Sequence, residues 1–345
     1  MSMRAILIKG GKGSADDLYI GETEKPTPKA GQVLVQIKAF GLNRMDIIQR
    51  EGGYPPPAGA SEILGVEFSG IVAGLGEGAQ KWKEGDEVMG LAGGGAYAEY
   101  IVLPGTHLMA KPKHLSWVDA AAIPENWLTA FQAVVLVGEI MAGDDVLVHA
   151  GASGVGIAAI QLAHAYKAKD VIATASSKDK LDWLLSLPSG ATHAVNYKTQ
   201  DFAAEVKKIT NGKGVDVVVD FVGTTHWHKN LDSLAVDGRM TMLALLSGNE
   251  VPKVDLRPIL FKRLRIQGST LRSRSAQYQA ELIESVPPPH LPPCLRQAAI
   301  PRRADSWATL PRFQKELLQK FTGSDGNGEL RLYIHKVSIV LLVLS

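Results

Sequence analysis

The residues Ala150-Gly151-Ala152-Ser153-Gly154-Val155-Gly156 combine three glycines and a serine at a spacing suited to binding an anion. A short β-branched run, Val146-Leu147-Val148-His149, enters the turn, and an apolar run, Ile157-Ala158-Ala159-Ile160-Gln161-Leu162-Ala163, leaves it with helical spacing. Strand, glycine turn and helix in that order bare backbone N–H groups at a helix N-terminus, where the helix dipole favours a pyrophosphate. The spacing is G-x-x-G-x-G through Gly151, Gly154 and Gly156, with Ser153 where the middle glycine of the commoner motif stands. A tight strand-to-helix turn whose glycines only permit close packing would look the same.

The end of the next strand carries the second signal. Units that bind NAD usually place an Asp or Glu about 20 residues beyond the glycines, where it accepts from the ribose 2′-hydroxyl. Here Val171-Ile172-Ala173-Thr174-Ala175 runs into Ser176-Ser177-Lys178-Asp179-Lys180. Hydroxyls and ammonium groups suit a 2′-phosphate, which a carboxylate would repel, so NADP(H) is favoured over NAD(H). Ser176 or Ser177 is equally suited to capping a helix.

These features need elements to hold them. Strand-like and helical segments alternate from Trp117 onward, with strands at 146–149, 171–175, 194–197, 215–220, 239–244 and 264–268. Such alternation implies parallel strands with crossover helices. Residues 1 to about 120 read differently: strand runs at 5–8, 32–37, 70–73 and 86–89 are closely punctuated by glycine and proline, as in a small irregular barrel or sandwich. The expected organisation is a β-rich domain over 1–120, a nucleotide-binding domain over 121–270, and a return to the first domain over 271–345. Residues 286–311, rich in proline and arginine and without apolar period, read as an unstructured insertion. A helical pattern follows at 313–318, a strand at 330–334 and an apolar tail at 339–344.

At 345 residues two domains are the expectation, and 46% hydrophobic with 21% charged residues is ordinary for a globular chain. A net charge of +2, with Lys and Arg scattered, gives no footprint for nucleic acid. Met1-Ser2-Met3-Arg4 leads straight into a strand with no signal-peptide core, and no apolar stretch reaches the ~20 residues that span a bilayer. The single cysteine, Cys294, excludes an intramolecular disulfide and a Cys-rich zinc site. A cytoplasmic compartment is expected.

One set of ordered motifs runs from the N-terminus to about Ser285: Gly41-Leu42-Asn43-Arg44-Met45-Asp46 with Gln49-Arg50, Tyr54-Pro55-Pro56-Pro57, Leu64-Gly65-Val66-Glu67-Phe68-Ser69-Gly70, Ala121 to Phe131, the glycine turn, Asn196-Tyr197, Asp220-Phe221-Val222-Gly223 and Leu271-Arg272-Ser273-Arg274. With these the chain resembles the zinc-free quinone oxidoreductases of the medium-chain dehydrogenase/reductase superfamily, especially the p53-inducible type. The resemblance implies an α/β fold: a GroES-like β-rich domain plus a Rossmann domain with a doubly wound parallel sheet. It implies that Asn43 and Tyr54 line the cleft beside the nicotinamide, Tyr54 on the acceptor side. It places Thr129 by the nicotinamide ring, Ser153, Gly154 and Val155 at the pyrophosphate, and Ser177, Lys180 and Tyr197 around the 2′-phosphate. Val222 and Leu245, with Ser269 and Leu271, border the same cleft, and the molecule is expected to be a homodimer joined through its Rossmann sheet.

On the residues alone, Asn43 is also a good turn residue, Tyr54 a packing ring, Thr129 a core residue and Tyr197 the close of a strand. Glu67 reads as a partly buried structural carboxylate, His149 as a satisfied core histidine, and His226 and His228 as solvated. Zinc-dependent relatives carry Cys in place of Asn43 and His in place of Val66, so no metal is expected and no Lewis acid is available. Reduction of a quinone or enone needs little beyond alignment and one weak donor at its oxygen. The expected activity is therefore NADPH-dependent reduction of quinones or conjugated carbonyls. The alternatives are an enoyl-thioester reductase and a low-turnover NADPH-binding protein. Relatives continue directly from the helix before residue 286 and close on the first domain with a further helix and strand. The insertion has the composition of translated non-coding sequence. The tail of this chain is expected to dock on the first domain or on other chains, at a cost in stability and activity.

Overall fold

A computed structural model describes residues 1–286 and the backbone of Leu330–Ile334 and Ile339–Val343. The insertion beyond Val286 and the helix expected at 313–318 lie outside the described residues. The chain divides into two units, one built from Met1–Glu125 with the segment starting at Arg272, the other from Asn126–Leu271.

In the first unit, strands β1 (Ser2–Ile8) and β2 (Leu18–Glu24) form an antiparallel pair. Strand β3 (Gln32–Leu42) is the longest and pairs antiparallel with β4 (Glu67–Leu75). Its inward set Val33, Val35 and Ile37 is fully shielded, the alternation a one-sided sheet requires. A register shift between Ile37 and Ala39 lets the last third of β3 turn both of its faces inward, with Phe40 opposite Phe68. Strands β5 (Glu87–Leu91), β6 (Tyr100–Pro104) and β7 (Leu108–Ala110) complete this part of the sheet, β6 on β3. Helix α1 (Arg44–Arg50) follows β3 after the single residue Asn43, and α2 (Trp117–Ala121) precedes α3 (Pro124–Phe131), which belongs to the second unit from Asn126 onward.

The sequence-based reading of this unit lacks β2, β6, β7 and α1. It does anticipate the strand at Leu330–Ile334, which pairs antiparallel with Ile339–Val343. The apolar tail docks on the first unit: Ile339 lies opposite Leu42 and Leu342 opposite Ala39, at the end of β3 that leads into Asn43.

In the second unit, six parallel strands stand in the order β10-β9-β8-β11-β12-β13. They are β8 (Asp145–Val148), β9 (Asp170–Ala175), β10 (His193–Asn196), β11 (Val215–Asp220), β12 (Leu234–Met242) and β13 (Arg265–Gly268). This is the doubly wound order that reverses between its first and fourth strands, here β8 and β11. Val146, Leu147, Val148, Val217, Val218 and Val219 are all fully buried, as strands covered by helices on both faces must be. The helices are α4 (Gly154–Ala165), α5 (Lys178–Ser186), α6 (Phe202–Ile209), α7 (Trp227–Ser233) and α8 (Arg257–Phe261).

Strand β12 begins five residues before the expected start at 239. Between Leu234 and Arg239 the strand bulges, with Asp237 at φ 61°. Helix α9 (Ala276–Ser285) belongs to the first unit.

Candidate functional site: a dinucleotide cradle and a buried acid cluster

The second unit gathers most of the residues expected to hold a cofactor. Strand β8 passes through His149 to Ala150, whose φ of 46° starts the turn. A side chain on Gly156 would lie 2.9 Å from the Gly151 backbone, and one on Gly151 would lie 2.8 Å from the Ala173 side chain. Only glycine lets the turn fold this tightly against β9. Ser153 caps α4, its Oγ accepting from Gly156 N–H at 3.1 Å. The first-turn N–H groups of Gly154 and Val155 have no acceptor within the helix and remain for an anion. The cradle therefore fits the pyrophosphate of a dinucleotide.

Ser177 and Lys180 follow the end of β9 and Tyr197 follows the end of the adjacent β10, where Tyr197 N–H donates to Ala175 O at 3.3 Å. Ser177 stands at the N-cap of α5, yet its hydroxyl makes no cap hydrogen bond. Lys178 is committed to Asp182 at 2.6 Å, whereas Lys180 makes no ion pair with any described residue. No acid ends β9, whose last residue is Ala175. Val222 and Leu245 are brought together where Ser247 N–H donates to Val222 O at 2.8 Å and Leu246 N–H to Phe221 O at 3.1 Å. Asp220 shapes that turn by accepting from Val222 and Gly223 N–H at 2.9 and 3.1 Å. Ser269 is buried against the Gln132 amide, which also donates to Thr270 O at 3.0 Å. Leu271 is buried, and Thr129 is half-buried on α3.

His149 is fully buried between Thr174 Oγ1 at 2.9 Å and Asn230 Oδ1 at 2.7 Å, and burial pushes its imidazole down to about 4. His226 corrects the expectation of a solvated side chain. It is buried, 4.7 Å edge-on to His149, and desolvation followed by its histidine neighbour lowers it to about 4. The apolar packing of Phe202 and Tyr197 around its ring left no periodic trace in sequence. His228 is exposed.

Asn43 and Tyr54 lie in the first unit. Asn43 is the residue between β3 and α1. Its backbone N–H donates to Asp46 Oδ2 at 2.8 Å and its Nδ2 to Glu67 Oε1 at 2.8 Å. Glu67, on β4, is fully rather than partly buried, and its Oε2 accepts from Glu125 N–H at 2.9 Å. Any side chain on Gly41 would collide with this carboxyl, so glycine there is the condition for Glu67. Burial pushes Glu67 up to about 8, against the lowering effect of the Asn43 hydrogen bond. Burial likewise raises Asp46 to about 6, although it accepts from Tyr97 Oη at 2.9 Å. Tyr54 is half-buried in the loop after α1, with the Arg272 guanidinium 5.4 Å from its ring centre. Asp46, Tyr97, Glu125 and Arg272 were given no role by sequence reasoning. Asp46, Glu125 and Arg272 stand inside the quoted motifs, but nothing in their spacing shows that their charges act on one another.

Where zinc-dependent relatives carry ligands, this chain has the half-buried amide of Asn43 and the fully buried side chain of Val66. Among the described residues, no group of three or more His, Cys, Asp or Glu is placed to hold a metal. Nor is any described helix long and apolar enough to cross a membrane.

Comparisons with known proteins agree with this architecture. Residues 29–113 match the alcohol dehydrogenase GroES-like domain and residues 154–286 the family described as zinc-binding dehydrogenase. The zebrafish (Danio rerio) synaptic vesicle membrane protein VAT-1 homolog is 35% identical over 68% of this chain and 48% of its own length. The chain thus spans about half the length of the curated relatives of this kind. Human (Homo sapiens) quinone oxidoreductase is 29% identical over 74% of this chain and 78% of its own. Among solved structures, an NAD-dependent alcohol dehydrogenase is 34% identical with a TM-score of 0.71, covering 82% of this chain and 90% of that one. Mycobacterial Rv1454c complexed with NADPH is 32% identical with a TM-score of 0.70, covering 82% and 88%. The CurK enoyl reductase is 29% identical with a TM-score of 0.71, covering 83% and 85%.

Proposed function

As the chain belongs to the medium-chain dehydrogenase/reductase superfamily, we propose that it is a zinc-independent, NADPH-dependent reductase of quinones or related conjugated carbonyls. The observation that carries this reading is Asn43. Where a metal thiolate stands in zinc-dependent relatives, an uncharged amide is fixed by Glu67 and can only donate or accept a hydrogen bond. An alcohol substrate needs its proton removed, which such a group does poorly. An electrophilic carbonyl needs only to be held and polarised.

Bound NADPH supplies the hydride. Gly151, Ser153, Gly154, Val155 and Gly156 hold its pyrophosphate, and Ser177, Lys180 and Tyr197 its 2′-phosphate. Thr129, Val222, Leu245, Ser269 and Leu271 form the apolar and hydroxyl-bearing walls about the nicotinamide half. Tyr54 donates its phenolic hydrogen bond to the acceptor oxygen, and Asn43 aligns the reacting end.

The protein acts in the cytoplasm as a homodimer. Support for the dimer is the edge of β13, unpaired among the described residues, preceded in the chain by α8, where Leu260 and Phe261 are 71% and 72% exposed. An enoyl-thioester reductase is the second reading, favoured by the similarity to CurK enoyl reductase.

Steady-state assays with 1,2- and 1,4-quinones, enones and enoyl thioesters, each with NADPH and NADH, test the proposal. Turnover of quinones with NADPH is expected. Tyr54→Phe should reduce it on the order of tenfold while sparing NADPH affinity, the loss of one hydrogen bond at the acceptor. Preferential turnover of enoyl thioesters would favour the second reading. Binding of NADPH without turnover of any acceptor would mark a binding protein.

A further inference from the structure

Tyr54 sits on an irregular loop, followed by Pro55, Pro56 and Pro57, and no backbone ladder fixes its ring. A single amide brackets this loop. Gln49, buried on α1, donates from Nε2 to Glu62 O at 3.1 Å and accepts at Oε1 from Arg272 Nη2 at 2.7 Å. Arg272 is only 4% exposed. Its Nε and Nη2 also clasp Gly93 O at 2.9 and 2.6 Å, and its guanidinium carbon lies 5.4 Å from the Tyr54 ring centre. The third nitrogen, Nη1, is buried with no hydrogen-bond partner among the described residues.

We propose that Arg272 is a positioning residue for Tyr54: locked on Gly93 and Gln49, it holds the phenol ring by stacking and fixes where the hydroxyl sits. The inference rests on the reductase reading for its consequence in catalysis, but not for the contact itself. Cation–π contact with a desolvated arginine restrains the ring, and the planar fork keeps the contact face in one orientation. The charge also acts on the hydroxyl. Burial raises the Tyr54 phenol, Arg272 draws it back down and the Glu125 carboxylate pushes it up. Asp46 on α1 and Glu125 on α3 are the acids whose charges bear on Arg272 from the neighbouring elements.

The test uses the full chain with Arg272→Gln, Arg272→Lys, Tyr54→Phe and the double variant Tyr54→Phe/Arg272→Gln. Tyrosine labelled with 13C at Cζ reports the Tyr54 titration by NMR, its resonance assigned from Tyr54→Phe. Arg272→Gln should move that titration upward, and Arg272→Lys should move it less, since charge remains but the fork is lost. Quinone kcat should fall about tenfold in Arg272→Gln with NADPH affinity unchanged, and the double variant should be no slower than the slower single variant. A Tyr54 titration unmoved in both Arg272 variants would overturn the proposal, as would a double variant whose loss is the product of the single losses. If Arg272→Gln does not fold, the titration in Arg272→Lys decides. If the wild-type chain turns over no quinone, the reductase reading fails while the titration still decides whether Arg272 governs Tyr54.

Discussion

The Asn43 amide and the Glu67 carboxyl form a 2.8 Å hydrogen bond at the point where β3 gives way to α1, and Glu67 is otherwise sealed from solvent. The carboxyl oxygens face Asn43 Nδ2 and Glu125 N–H. Burial keeps the proton on Glu67 at pH 5, so the amide of Glu67→Gln is its neutral counterpart there. A cost of no more than about 1 kcal/mol is expected at that pH, the scale of one altered hydrogen bond. Denaturant unfolding of the two proteins at pH 5 gives this difference directly.

The same carboxyl makes a pH signature. Its folded value of about 8 lies above the ordinary 4.5, so between those values the native state holds a proton that the unfolded chain has lost. The stabilisation is complete below pH 4.5 and declines as pH rises toward 8, by at most about 1.4 kcal/mol per pH unit. Asp46 adds the same sign between 3.8 and about 6. The stability of wild type relative to Glu67→Gln should accordingly fall from pH 5 to pH 8. A gap that stays constant across this range would mean that Glu67 is ionised in the native protein throughout.

Lys180 should discriminate between cofactors. Its ammonium has no carboxylate partner among the described residues, and it lies in the first turn of α5, whose N-cap Ser177 makes no cap hydrogen bond. A charge-assisted contact to a phosphate contributes roughly 1.5–3 kcal/mol, or about ten- to a hundredfold in affinity. Lys180→Ala should weaken NADPH by that factor and leave NADH nearly unchanged, as read by fluorescence titration. Equal losses for both cofactors would assign Lys180 to the fold.

The parallel sheet was legible because its strands are buried on both faces and therefore read as unbroken apolar runs, Val146–Val148 and Val217–Val219 among them. The glycine turn was legible because its geometry depends on residue type, with no room for a side chain at Gly151 or Gly156. The acid cluster of the first unit was not. Glu67, Asp46, Tyr97 and Glu125 are distant in sequence, and what unites them is burial behind Gly41, which leaves no periodic signal. The same holds for Arg272, whose partners Gln49 and Gly93 are 223 and 179 residues away in sequence. His226 was read as solvated together with His228, on either side of Trp227; the rings of Tyr197 and Phe202 that cover it are brought in by the fold.

The edge of the Rossmann sheet offers a test of assembly. Among the described residues strand β13 pairs only with β12, which leaves its outer N–H and C=O groups for a second copy, and exposed Leu256, Leu260 and Phe261 lie in the chain just before it. Replacing Leu260 and Phe261 together by Glu should shift the protein from dimer to monomer in size-exclusion chromatography with light scattering. An unchanged dimer would place the interface elsewhere.

The tail strand Ile339–Val343 makes the last prediction. It pairs with β3 over Ala39–Leu42, where β3 is already held on its other side by β4 through Ala39–Ser69 and Phe40–Phe68. Removing the tail would bare the backbone of β3 immediately before Asn43. Each ladder hydrogen bond contributes about 0.5–1.5 kcal/mol net, so a few kcal/mol of the first unit's stability is at stake, and the uncovered edge invites association. A chain ending at Ser338 should melt at a lower temperature, scatter more light at equal concentration and lose quinone turnover through disturbance of Asn43. NADPH affinity should change little, because the glycine turn and Lys180 belong to the second unit. If the shortened chain stays monodisperse and melts at the wild-type temperature, the tail strand contributes nothing to closing this edge.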